Sequence, residues 1–94
     1  MNENDFEWDE KKAAENYRKH RITFEVARHV FDEGVAIDEP DDREDYGEAR
    51  FNIIGTVSGR LLFVTYTIRK RRYRLISARG AEPNENRRYH EENR

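Results

Sequence analysis

RLLFVTYTIRKRRYRLISAR, residues 60–79, holds two apolar runs, Leu61–Ile68 and Tyr73–Ala78, on either side of an almost wholly cationic turn. Runs of this length and composition, broken by so short a polar segment, predict a β-hairpin with Arg69, Lys70, Arg71 and Arg72 at its tip. Arg74 and Arg79 continue the basic series beyond it. Fixed Arg and Lys side chains neutralise phosphates and release their counterions, so a hairpin of this kind suits a polyanion.

Upstream, Phe51–Val57 alternates well and joins Leu61 through Ser58-Gly59, a tight-turn signal, so the hairpin extends to a meander. Before it, Val35–Asp38 reads as a short strand and Glu39–Glu48 as a polar loop punctuated by Pro40 and Gly47. The period is different nearer the N-terminus. Asp9 is placed to cap a helix Glu10–Lys19, with Ala13, Ala14 and Tyr17 on one face, and Thr23 to cap a second, Phe24–Asp32, with Phe24, Ala27, Val30 and Phe31 on a stripe. Gly34 stops the second helix as a C′ glycine would. Asp5–Trp8 is an extended lead-in, and Asn84–Asn93 a polar segment able to form a short helix carrying Tyr89. The expected fold is α+β: a twisted antiparallel sheet with two N-terminal helices packed on one face and a short C-terminal helix. Residues 1–94 form one expected domain, frayed at 1–4 and 90–94.

Composition sets the limits. With 40% charged and 35% hydrophobic residues, 94 residues allow one modest core. Cysteine is absent, which excludes disulfides and thiol nucleophiles and fits a reducing compartment. No apolar run is long enough for a bilayer, and the acidic start MNENDFEWDE is unlike a secretory signal, so a cytoplasmic location is the expectation. The net charge of −2 conceals a division: Met1–Gly47 has 7 Lys+Arg against 15 Asp+Glu, and Glu48–Arg94 has 11 against 5. One half suits a polyanion and the other a basic partner.

The residues also carry a family likeness. Phe6-Glu7-Trp8-Asp9, Lys11, Asn16, Lys19-His20, Phe24 and Phe31, then Asp42-Arg43, Gly47-Glu48, Arg50, Gly55, Tyr66-Thr67 and Arg69, and finally Arg74, Ile76-Ser77-Ala78-Arg79 and Arg88-Tyr89 resemble the BrnT toxins. The likeness spans Phe6 to Tyr89. Its two specific blocks are FEWD with the following Lys-His pair, and ISAR. Many members carry a glycine after that pair, where this chain has Arg21. The resemblance implies a RelE-like fold, an endoribonuclease that arrests translation, and a BrnA-like antitoxin that binds both toxin and operator DNA. DNA would then be met only through the antitoxin. A dimeric antitoxin would give a 2:2 complex, its acidic or amphipathic segment docked near Arg69–Arg74 and Arg79.

RNA cleavage without a metal needs the 2′-hydroxyl deprotonated, the phosphorane's charge stabilised and the 5′-oxygen protonated. Arg69, Arg74 and Arg79 are the candidate cations of the last two strands, and Lys11 and Lys19 those of the first helix. For proton transfer the candidates are His20, Tyr66, Tyr89 and Lys11; histidine as a residue type titrates nearest neutral pH. The candidate catalytic set is Lys11, His20, Arg69 and Arg79. Contacts to RNA are expected from Lys19, Lys70, Arg71, Arg72 and Arg74, and from Trp8 and Tyr89 by stacking on bases. In an unbulged strand Arg74 and Arg79 differ in parity and cannot share a face, and Arg79 is placed past the strand end. The three histidines lack metal-ligand spacing, and neither a Gly-rich phosphate loop nor a serine triad is present, so no metal or cofactor is expected. The alternative is a non-catalytic protein that uses the same hairpin to hold nucleic acid or a ribosomal surface, or a gyrase-type poison.

Overall fold

The computed structural model describes all residues, Met1–Arg94. Its elements are β1 (Phe6–Glu7), α1 (Glu10–His20), α2 (Phe24–Ala27) running into a 3-10 turn (Arg28–Asp32), β2 (Ile37–Asp41), β3 (Arg50–Val57), β4 (Arg60–Arg69), β5 (Arg72–Gly80) and α3 (Pro83–Glu92). The strands form one sheet in the order β1-β5-β4-β3-β2. All neighbours are antiparallel except β1, which lies parallel to β5 through Phe6↔Tyr73 and Glu7↔Arg74.

The first hairpin turn is as short as its sequence suggests, and the second is shorter than the four-residue cationic turn expected, since Arg69 and Arg72 pair as strand residues. Ser58 and Gly59 have φ of 50° and 80°, and Lys70 and Arg71 have φ of 49° and 67°. Two successive left-handed residues match the right-handed twist of the flanking strands. Glycine adopts this conformation freely; a lysine and an arginine do so only under strain.

One sheet face is the core. Phe6, Ile53, Val57, Leu62, Val64, Tyr66, Leu75 and Ala78 meet Ile22, Phe24, Ala27 and Val30 there. Aromatic rings extend it: Phe31 lies 5.2 Å from Phe6, 4.9 Å from Tyr66 and 4.8 Å from Tyr73, centroid to centroid. Gly55 is what lets the 3-10 turn come close, because a Cβ there would stand 2.9 Å from Val30 Cγ2. Phe24 is fully buried, whereas Phe31 is only partly buried against the cluster.

Three expectations need correction. First, α1 does not bury Ala14 and Tyr17. Its one buried residue is Asn16, and Tyr17 is 45% exposed. The Asn16 amide donates to the Ala78 and Ile22 carbonyls and accepts from the Ala78 N–H, so α1 supplies the pairing that β5's edge lacks beyond short β1. Second, the predicted loop contains most of β2, because Pro40 is tolerated on an edge strand. Third, the second helix narrows to 3-10 geometry from Arg28 onward. Asp9 and Thr23 cap as expected, the first accepting from the Lys11 and Lys12 N–H groups and the second from the Val26 N–H. At the ends, where fraying is expected, the amino terminus bonds Asp32 at 3.0 Å and α3 continues through Glu92. No helix is long and apolar enough to cross a membrane.

Candidate nucleic-acid interface

The face opposite the core owes its character to a bulge. Thr65 pairs with Ser77, but the next residue, Tyr66, pairs with Leu75, so Ile76 has no partner. The extra residue reverses the parity of β5. Arg72, Arg74, Ser77 and Arg79 therefore share one face, opposite Arg69, Thr67, Thr65 and Phe63 of β4. The parity expectation for Arg74 and Arg79 is thus overturned, and Arg79 lies within β5 rather than past it.

The floor of this face is polar. Thr65 Oγ1 donates to Asn52 Oδ1 at 2.7 Å, and Thr67 donates to the Ala49 carbonyl. Around it stand arginines, each held by a carboxylate. Arg79 forms a two-pronged pair with Glu85 of α3, 2.8 Å on each side, and lies 4.2 Å over the Phe63 ring. That pair holds the Arg79 proton more tightly than usual. Burial pushes the Glu85 carboxyl up, but the Arg79 bond and the Glu82 N–H outweigh it and leave it below its ordinary value. Arg74 bonds Glu7 at 2.8 Å, and Arg72 bonds Glu7 and the Asn4 and Phe6 carbonyls. On the far side Arg50 lies 4.2 Å over Tyr46, and Arg43 grips Asp41 with two bonds of 2.8 Å.

Beside the bulge, α1 contributes the second wall. Lys12, Glu15, Asn16, Lys19 and His20 line a hollow of about 230 Å³ with Ile76 and Ser77. Lys11 stands in the same helical row as Glu15 and Lys19, at i, i+4 and i+8. The structure thus brings His20 and Lys19 to β5 beside the stretch bearing Arg74 and Arg79, with Lys11 toward the N-terminal end of that wall.

Other expected members lie elsewhere. Arg69 pairs with Glu48 at 3.0 Å at the hairpin tip, about 20 Å from Arg79 at the usual strand rise. Tyr66 is on the core face, its hydroxyl donating to Asp38 at 2.7 Å; burial and then that bond push its pKa well above the ordinary range. A buried phenol held by a carboxylate is not a base for this face. Tyr89 is 7% exposed and donates to Glu33, so it pins α3 instead of offering a ring to a base. Trp8 is half-buried, edge-on to Phe24 at 5.8 Å, with its indole N–H unpartnered. Arg43, Arg50 and Ser77 entered the sequence reading only through the family likeness, not as site candidates, and Lys12 did not enter it. Lys12 was in principle accessible: it stands one turn before Asn16, whose polar side chain marks the face of α1 that meets the sheet.

A family model described as the ribonuclease toxin BrnT of type II toxin–antitoxin systems matches residues 8–85. The chain belongs to that family. It is a ribonuclease toxin, and a type II system supplies it with a protein antitoxin. No curated protein matches the chain.

Proposed function

We propose that this toxin is a metal-independent endoribonuclease whose site is the arginine face between α1 and α3. The observation that carries the reading is the bulge at Ile76, which aligns Arg74 and Arg79 on one open face beside the Lys19–His20 hollow. The RNA 2′-oxygen attacks phosphorus and loses its proton to a base, for which His20 is the candidate. The bond to the 5′-oxygen breaks, and that oxygen takes up a proton. The products are a 2′,3′-cyclic phosphate and a 5′-hydroxyl. Arg79 and Arg74 hold the phosphorane's charge, which a planar guanidinium fork fits by two-point contact. Lys11 and Lys19 position the backbone from α1, and Arg69 acts at a distance from the reacting phosphate.

Cleavage of this kind arrests translation, and a BrnA-like antitoxin prevents it by laying an acidic segment across the arginine face in a 2:2 assembly. The antitoxin, not the toxin, contacts DNA. End-labelled RNA incubated in EDTA tests the chemistry: cyclic-phosphate products should form, and fall at least about 100-fold for Arg79→Ala and Lys11→Ala. Tight RNA binding without any product would favour the non-catalytic alternative. Hydrogen exchange tests inhibition. Protection confined to residues 39–48 on adding antitoxin, with Arg79 unchanged, would exclude direct occlusion.

A further inference from the structure

The hairpin tip is the one place where two successive cations both hold a left-handed backbone. Arg43, Arg50, Arg69, Arg72, Arg74, Arg79 and Arg88 all pair with carboxylates. Lys70 and Arg71, exposed between β4 and β5, make no ion pair and no side-chain hydrogen bond within the chain. They also occupy the two left-handed positions of the turn, where Asn-Gly would be unstrained. Strained residues kept at an exposed point are a reason to look for function there. Both side chains are exposed, so burial does not account for them.

We propose that Lys70 and Arg71 form an anchoring site for the RNA phosphate backbone, separate from the site of cleavage. The tip lies about 20 Å from Arg79, the length of roughly six stacked nucleotides at about 3.4 Å each. A long RNA can reach both points and a very short one cannot. Two unpaired cations carry no base-reading geometry, so the anchor is independent of sequence and sensitive to salt. The inference rests on the ribonuclease reading only in taking RNA as the polyanion.

The test measures binding of an RNA of about 30 nucleotides fully methylated at its 2′-oxygens, which cannot be cut, so the result does not depend on cleavage. The double variant Lys70→Asn, Arg71→Gly installs the favoured turn sequence. It should melt at a higher temperature than the parent and yet bind about tenfold more weakly in low salt. The slope of log affinity against log salt should shrink by about 1.4, as two single-strand phosphate contacts require. A control, Arg18→Gln with Arg87→Gln, removes two other exposed cations and should keep most of the affinity. Equal losses in both variants would reduce the effect to net charge and overturn the proposal. So would unchanged affinity and slope in the tip variant, which would leave the tip to an acidic protein partner.

Discussion

The two faces of the sheet are built from alternate residues of the same strands and answer to different physics. On the core face Val64, Leu75 and Ala78 are almost completely buried, and their stabilisation comes from apolar area removed from water. On the other, Arg74 and Arg79 share a face with Thr65 and Asn52 and are held by part-buried ion pairs. Hydrogen-bonded pairs of that kind contribute about 1.5–3 kcal/mol each, less than a large buried ring. Fold stability is thus concentrated on one face, which leaves the other open to substitution without unfolding. On the charged face α3 is held through Arg79–Glu85, Arg88–Glu39 and a buried ring, Tyr89.

The sharpest break of this contrast is a pair of alanine variants. Phe24→Ala should lose about 3–5 kcal/mol of unfolding free energy, measured by urea titration, since the ring is 1% exposed. Arg79→Ala should cost about 1–3 kcal/mol of stability, because Glu85 loses its partner, while costing about 3–4 kcal/mol in transition-state stabilisation, read from cleavage rates. An Arg79→Ala protein that unfolds like Phe24→Ala would abolish the distinction between the faces. Asn16→Ala comes next, because the buried Ala78 N–H and carbonyl lose their partner. Each unsatisfied group costs about 1–3 kcal/mol, and His20 should lose its place along with α1, so stability and cleavage should fall together.

A smaller effect runs the other way. Arg21 closes α1 at φ 58°, ψ 30°, so Arg21→Gly should stabilise by about 0.5–1 kcal/mol, visible as a rise in melting temperature. The smallest effect is a titration. Glu85 sits below its ordinary value of 4.5 in the folded chain, so its contribution is present above that pH and is lost as pH falls through the folded value. The acid limb of the stability curve below about pH 4.5 should therefore flatten in Arg79→Ala relative to the parent.

Much of this was legible in the residues. The Ser58-Gly59 turn, the Asp9 and Thr23 caps and the change of period near Gly34 follow from local chemistry, and the structure has them. What was not legible depended on neighbours in space. No residue near Ile76 signals a bulge, because the extra residue is defined only against β4. The face of α1 was misread because Ala13, Ala14 and Tyr17 look like a buried stripe, whereas the sheet edge needed an amide more than a methyl group. The burial of Tyr89 depends on Glu33, 56 positions away. Arg43 and Arg50 lay in segments that read as loop and strand margin, and only the pairing of β2 with β3 brings them to the polar face.

The Arg79–Glu85 pair has a consequence for how RNA is held. A phosphate arriving at Arg79 does not fill an empty seat; it trades places with a carboxylate already bonded at 2.8 Å. One anion leaves as another enters, so few counterions are released and the exchange is nearly indifferent to ionic strength. The hairpin tip, with no internal partner to give up, is governed by the opposite rule. The same strand of RNA would be gripped at one end by an interaction that salt dissolves and at the other by one that salt scarcely touches. Rising ionic strength would then lengthen the search for RNA while sparing the contact at which it is cut.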